Sequence, residues 1–386
     1  MRAINAVGLV ACSLATTLPM LVSARVLQGV GAALTFACGP AIATALGGEG
    51  RRAEMLSFHA MVIAIGSAAG PLVGGMLVDL WGWPAVFWAR APLPLAALLL
   101  SSAMSPLSQA PPRGGMDWLN GMLVVLAMAG AGSTLGFAAG TATPLVALLA
   151  AVAIVAWWVQ GQRSAAPVLD PAHFRQTEFT VLNLSTIAIN LVAFAVLLIA
   201  PYYLVRMVGL SNRDAGLVLS LPFFGMLAGA WLVPRLTTSL NAGRLAFAGL
   251  CSVAVMQGAI GALEATSPMA LIMAAFGLHG MGLGVFQVAA ATIVTGTLPL
   301  EQRGVAGSLG IVMRTIGVVA GAFVLATLFD TMSGTDAVGE RERIEAGVAA
   351  FKATFIYSSL ALAIFILATL AWPRTWHWEL DDAARR

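Results

Sequence analysis

Apolar residues run through this chain in long blocks, broken at intervals by a Pro, a Gly or a short polar stretch carrying arginine. The blocks lie near residues 3–22, 23–46, 55–79, 83–104, 117–138, 141–161, 179–205, 213–235, 242–263, 268–296, 303–329 and 349–372. Most are about 20 residues or longer, the length that carries an α-helix across a bilayer's hydrocarbon core. In hydrocarbon a segment must satisfy its own backbone hydrogen bonds, so a run of this kind predicts a spanning helix. The pattern therefore predicts an all-α polytopic membrane protein of twelve helices. Met1-Arg2 ahead of an apolar stretch has the look of a signal peptide. A small-residue cleavage site is lacking and a second span follows at once, so residues 3–22 are read as a helix.

One block has a finer pattern. Within Gly66-Ser67-Ala68-Ala69-Gly70-Pro71-Leu72-Val73-Gly74-Gly75, residues Gly66, Gly70 and Gly74 fall at i, i+4 and i+8, a bare stripe along one helix face. In a membrane such a stripe lets another backbone approach closely. Pro71 removes a backbone donor and bends the helix. A bent, closely packed helix suits a joint about which two bundles rock; an ordinary packing or dimerisation face is the simpler reading.

Composition agrees with the pattern. The 386 residues are 59% hydrophobic and 10% charged, far from the balance of a water-soluble domain. The net charge of +3 comes almost wholly from arginine, placed in loops, and so carries topology rather than a nucleic-acid surface. With the N-terminus inside, cytoplasmic segments hold twelve cations: Arg2, Arg51, Arg52, Arg113, Arg163, Arg175, Arg235, Arg244, Arg303, Arg374, Arg385 and Arg386. The outer side holds six, namely Arg90, Arg206, Arg213, Arg341, Arg343 and Lys352. This asymmetry predicts that both termini are cytoplasmic. Residues 329–349 become the longest outer loop. Trp372, Trp376 and Trp378 fit an aromatic belt at the inner interface. Cys12, Cys38 and Cys251 have no paired spacing, so neither a disulfide framework nor a metal site is suggested.

Few residues carry chemistry. Arg25 lies early in the second span, where it either acts or snorkels to the headgroups. Arg314 lies about eleven residues into its span, ~16 Å along the helix, too deep to snorkel, and should face a cavity or bind backbone carbonyls. His279, among Gly277, Gly280, Gly282 and Gly284, could carry a proton or be a hydrogen-bonded packing residue. Gln287 and Asn190 could offer amides to a substrate or join helices to one another. Asp117, just before Trp118, reads as a helix N-cap. No Asp or Glu lies near the middle of any predicted span. Phosphate-binding loops, metalloprotease motifs, Cys/His clusters and catalytic constellations are all missing from the sequence, which argues against an enzyme and against a bound cofactor.

Several motifs resemble one family. Arg25-Val26-Leu27-Gln28-Gly29-Val30-Gly31-Ala32-Ala33 resembles the RxxQGxGAA signature of major facilitator superfamily exporters. Gly66 to Gly75 resembles their antiporter signature, with core GxxxGPxxGG. Trp81-Gly82-Trp83-Pro84-Ala85-Val86-Phe87 is similar to the turn that follows it in the fourteen-helix drug:proton antiporter branch. Arg303 to Ser308 with Arg314 and Gly317 is similar to that branch's penultimate helix. Ser57 and Arg90 depart from the pattern, standing where the branch has an early glycine and an asparagine. In the family the two N-terminal motifs lie on the fourth and fifth helices; here they lie on the second and third. The resemblance thus implies a major facilitator fold lacking its first two helices. Its parts are an N-terminal bundle remainder of four helices (1–105), two inserted helices (106–165) and a C-terminal six-helix bundle with its tail (166–386).

The resemblance also implies roles. Arg25, Gln28, Gly29 and Gly31 would serve coupling, with Arg25 sensing the protonation of a nearby acid. Gly66, Gly70, Pro71, Gly74 and Gly75 would form the gating joint, Gly70 and Gly74 packing on Gly225 and Gly229 of the span at 213–235. Arg314 joins the coupling set. Gly310, Gly317 and Gly321, on the helix that would meet a missing partner, are expected to face lipid, a gap or another protomer. His279, Gln287, Asn190, Phe194, Phe223, Phe224, Met226 and Phe286 are the cavity candidates. The implied activity is proton-coupled efflux of amphipathic or hydrophobic small molecules across the cell's inner (plasma) membrane, with protons and the lipid bilayer as its other partners. The alternatives are a facilitator or importer of the same superfamily, and a shortened, non-transporting remnant or membrane partner.

Overall fold

A computed structural model describes residues 2–47, 52–102, 117–136, 143–163, 174–237, 240–297, 303–333 and 340–377. Among them nine helices are long and apolar enough to cross a membrane, and three further apolar helices are shorter. The chain falls into two compact units, Met1–Pro111 with Leu210–Ser220, and Pro112–Gly209 with Leu221–Arg386.

The first unit contains α1 (Arg2–Ser13), α2 (Leu18–Gly47), α3 (Arg52–Trp81), α4 (Ala85–Arg90) and α5 (Pro92–Ser102). The predicted break between residues 22 and 23 falls instead at Ala15–Thr17. Thr17 Oγ1 lies 3.4 Å from the Met20 amide, and Pro19 sits in the first turn of α2, where a missing N–H breaks no helical bond. Arg25 is consequently seven residues into α2, ~10 Å along the helix rather than near its start. The α1–α2 hairpin is tight because glycines meet backbone. A methyl at Gly8 would come within 2.6 Å of Gln28 Cα, and one at Gly31 within 2.7 Å of Asn5 Cα. The fourth predicted span is two helices, since Pro92 opens a new one immediately after Ala91.

The second unit contains α6 (Trp118–Gly136), α7 (Thr143–Arg163), α8 (Thr177–Leu198), α9 (Ala200–Tyr202), α11 (Ala242–Gly261), α12 (Met269–Thr297), α13 (Arg303–Ser333), α14 (Glu340–Thr369) and α15 (Pro373–Trp376). Helix α10 (Asn212–Leu236) contributes its first turns, through Ser220, to the first unit and the remainder to the second. Pro201 breaks the seventh predicted span. α8 stops at Leu198, and the chain resumes through α9 into a π-turn at Tyr203–Met207, closed by the Val208 amide on the Tyr203 carbonyl (3.1 Å). Asp117 caps α6 as expected, its Oδ1 accepting from the Asn120 amide at 2.9 Å.

The core of this unit is aliphatic and aromatic, with Phe179, Leu182, Ile189, Leu250, Phe286 and Ile293 all sealed from solvent. Some polar groups inside it bond from helix to helix. Gln257 Nε2 donates to the Val192 carbonyl and to Ser358 Oγ (both 3.0 Å), joining α11 to α8 and α14, and Ser359 Oγ donates to the Ala254 carbonyl at 2.7 Å. Helices α6 and α7 pack on each other, and α6 also lies against α13.

Two expectations are corrected here. Gly317 and Gly321 do have a partner: a methyl at either would strike α8, at 3.2 Å from the Ile187 or the Leu191 carbonyl carbon. Helix α13 thus uses these glycines to seat on its own unit, and Gly310 alone of the three has no described atom within 4 Å. Trp376 is no belt residue. It is buried, packs edge-on against Phe247 at 5.3 Å, and sits over Gly243. Trp372 is exposed, and Trp378 lies outside the described residues.

Candidate functional site

The glycine stripe of α3 packs differently from the expected register. A methyl at Gly66, Gly70 or Gly74 would meet no described atom within 4 Å. The close contact lies one position round the helix, on the face shared by Pro71, Gly75 and Asp79 at i, i+4 and i+8. A methyl at Gly75 would fall 2.9 Å from the Asn212 carbonyl carbon. Reciprocally, one at Gly216 would fall 3.1 Å from the carbonyl carbon of Pro71. The N-terminal turns of α10 therefore rest on Pro71 and Gly75. Asp79 completes the contact, its Oδ1 accepting from Asn212 Nδ2 (2.7 Å) and the Asn212 amide (3.2 Å), and its Oδ2 from the Arg213 amide (2.7 Å). The first amides of a helix have no partner of their own, so one carboxylate here caps α10 from another helix. Sequence reasoning passed over Asp79, although its spacing from Pro71 and Gly75 was a signal.

Gly225 and Gly229 serve a different helix. They meet α12, where added methyls would fall 2.9 Å from the Met281 and Val285 amide nitrogens. Gly280 and Gly284 answer from α12, facing the Pro222 and Met226 backbone. Four glycines thus bring two backbones together where the sequence placed Gly70 and Gly74.

In the first unit Arg25 Nη1 donates to Gln28 Oε1 at 2.6 Å, and the guanidinium lies 5.8 Å from the centre of the Phe87 ring. Gln28 is buried and Gly29 is open. Arg25 is thereby held by its own helix and by α4, with an amide as its hydrogen-bonding partner.

Within the second unit, helices α8, α10, α12 and α13 surround two cavities. One, of about 240 Å³, is lined by Asn183, Thr186, Asn190, Gln287, Ala290, Ala291, Val294, Thr295, Gly310, Ile311 and Arg314. The other, of about 80 Å³, is lined mainly by apolar groups, including Phe194, Leu197, Pro222, Phe223, Met226, Leu283 and Val318, together with His279. Asn190 and Arg314 border both. Arg314 is accessible, while His279 is 1% exposed with neither ring nitrogen hydrogen-bonded, and Gln287 Nε2 is buried without a partner. Asn190 Nδ2 donates to the Thr186 carbonyl (2.8 Å), which leaves its other amide hydrogen and its lone pairs for the cavity. No Asp or Glu lines either cavity among the described residues.

Six of the eight cavity candidates therefore come together: Asn190, Phe194, Phe223, Met226, His279 and Gln287. Two do not. Phe224 points outward, 53% exposed, and Phe286 is sealed in the core against α11. Asn183, Thr186 and Thr295 were not singled out. The first two share a helical face with Asn190, a polar stripe at spacings of three and four within an apolar run.

The Major Facilitator Superfamily model matches residues 2–116. Riboflavin transporter RibZ of Clostridioides difficile is 24% identical over 331 residues, a match covering 84% of this chain and 71% of that protein. Multidrug resistance protein Stp of Mycobacterium tuberculosis is 27% identical over 332 residues, covering 83% of this chain and 61% of Stp. The chain thus spans about three-fifths of the length of Stp. Among solved structures, a bacterial homolog of the human lysosomal transporter Spinster, inward-facing and unoccupied, superposes with a TM-score of 0.68 at 17% identity, over 97% of this chain and 82% of that one. The fold is the all-α, polytopic fold of the major facilitator type, and the chain is a multi-pass membrane protein.

Proposed function

We propose that this chain moves small amphipathic molecules across the cell's inner membrane, most simply outward and at the expense of a proton gradient. The observation that carries the reading is the paired cavity of the second unit. Its polar half and apolar half meet at Asn190 and Arg314, which suits a molecule with one polar and one apolar end. The name of Stp, a multidrug resistance protein, supports efflux of drug-like molecules, and RibZ is named as a riboflavin transporter. The motifs at Arg25–Ala33 and Gly66–Gly75 support the fourteen-helix drug:proton antiporter branch, and the arginine asymmetry supports cytoplasmic termini. His279 is the titratable cavity group available for a proton, and Arg25 the coupling candidate of the first unit.

A second reading has its own support. The described cavity walls carry no carboxylate, the usual proton carrier of an antiporter, and this favours a facilitator that runs down a substrate gradient. Reconstitution into vesicles distinguishes the two. With an amphipathic dye, coupled export predicts uphill movement only while a proton gradient is maintained. Facilitation predicts equilibration regardless of the gradient. Folded protein that moves dye in neither condition removes transport as the function of this chain.

A further inference from the structure

The proposed transport reading leaves the substrate's chemistry open, and the second unit's cavities narrow it. Arg314 stands in the wall common to both, yet no acidic side chain lines either among the described residues, and the guanidinium has no ion-pair or hydrogen-bond partner there. A permanent cation at this depth in a spanning helix is costly unless something neutralises it. The larger cavity's wall also holds Gln287, whose Nε2 is a buried donor without an acceptor, and Asn190, which retains one amide hydrogen after its bond to the Thr186 carbonyl. The acceptors in this wall are neutral amide and hydroxyl oxygens, so a full positive charge with amide donors in the same wall has no negative charge opposite it among the described residues. In the smaller cavity, which shares Asn190 and Arg314, Phe194, Phe223 and Met226 give an apolar surface.

We propose that Arg314, Asn190 and Gln287 form an anion subsite, and that the preferred substrate is an amphipathic organic anion. Its carboxylate sits against the guanidinium in the larger cavity, and its aromatic or aliphatic body turns toward the apolar side chains that line the smaller. The inference deepens the transport reading and rests on it only for the word substrate; the subsite itself is a statement about binding. A planar guanidinium takes a carboxylate through two parallel hydrogen bonds, which an ammonium or a neutral alcohol cannot receive. Amphipathic cations, the opposite class, meet an unneutralised positive charge here and are disfavoured.

The test uses three probes of one shape: 2-naphthylacetate, 2-naphthylethanol and 2-naphthylethylamine, with binding to the purified, detergent-solubilised chain measured by equilibrium dialysis. The acid is expected to bind about 10- to 100-fold more tightly than the amine, the range of a charge-assisted hydrogen bond, with the alcohol between them. Arg314→Gln is expected to bring acid and amine within about twofold, while Arg314→Lys, which keeps charge and loses the fork, retains part of the preference. Gln287→Leu, which keeps Arg314, should weaken the acid more than the alcohol. The wild-type comparison needs no variant, so it decides the matter even if Arg314→Gln fails to fold. Equal binding of acid and amine, preference for the amine, absence of saturable acid binding, or a preference untouched by Arg314→Gln would each overturn the subsite. Vesicle transport separates this outcome from the broader reading. If vesicles move a neutral or cationic dye and the acid shows no Arg314-dependent binding, transport stands and the subsite falls; if the acid binds through Arg314 and nothing is moved, the subsite stands and transport falls.

Discussion

Gly70→Ala and Gly225→Ala change the same atoms in two spanning helices, and the packing predicts opposite signs. A methyl at Gly225 has no room. It would lie 2.9 Å from the Met281 amide nitrogen and closer still to the Gly277 carbonyl, against 3.4 Å or more for an ordinary contact. Both neighbours are backbone, so α10 and α12 must part. Overpacking of this kind costs about 1–3 kcal/mol. Alanine returns about 1 kcal/mol through its better helix propensity, so the net loss is about 0–2 kcal/mol. At Gly70 no described atom lies within 4 Å of the added methyl, and only the favourable part remains, a gain of about 0.5–1 kcal/mol. In a helical unit of this size each kcal/mol moves the midpoint by about 2–4 °C. The assay is thermal unfolding of the purified protein in one detergent at one scan rate. Gly70→Ala should unfold a few degrees above wild type and Gly225→Ala at or below it. The double variant Gly225→Ala/Gly229→Ala should lose less than the sum of its parts, because helices already parted at Gly225 have made room at Gly229. A Gly225→Ala protein stabilised as much as Gly70→Ala would refute the assignment of the close helix contact to α10 and α12.

Other variants test other contacts. Asp79→Ala removes the acceptor of the Asn212 and Arg213 amides; hydrogen exchange at the start of α10 should accelerate, and unchanged protection there would mean that the cap does not hold the helix. Gly321→Ile drives a branched side chain into the Leu191 backbone, so its folded yield by size exclusion should fall well below that of Gly310→Ala, which has open space. Gln257→Leu takes the amide from the Val192 carbonyl and Ser358 Oγ, and should cost about 1–3 kcal/mol, read as a lower unfolding midpoint without loss of helical signal.

The positions of the spans were legible in the sequence because hydrocarbon imposes the same demand on every crossing segment: apolar side chains and internal hydrogen bonds for about 20 residues. Local rules also announced the helix cap at Asp117, and could have announced the breaks at Pro19, Pro92 and Pro201, since proline's missing donor acts wherever it stands. The polar residues that gather in the second unit could be picked out singly, for a buried Asn, Gln, His or Arg in an apolar run is costly without a purpose.

What the linear chain left open was which face of each helix meets which neighbour. Gly74 and Gly75 are adjacent in sequence, yet a turn of 100° puts one in the open and the other against Asn212. A glycine stripe says that some backbone could come close, and it is equally consistent with any backbone. Only the packing gave Gly225 and Gly229 to α12, Gly317 and Gly321 to α8, and Phe286 to the core instead of the cavity. Apolar residues lie nearly evenly around α3, α8 and α12, so there hydrophobicity gives almost no azimuth. The azimuth comes from complementary shape, bare positions against bulky backbone turns, and shape belongs to pairs of helices, not to either one alone.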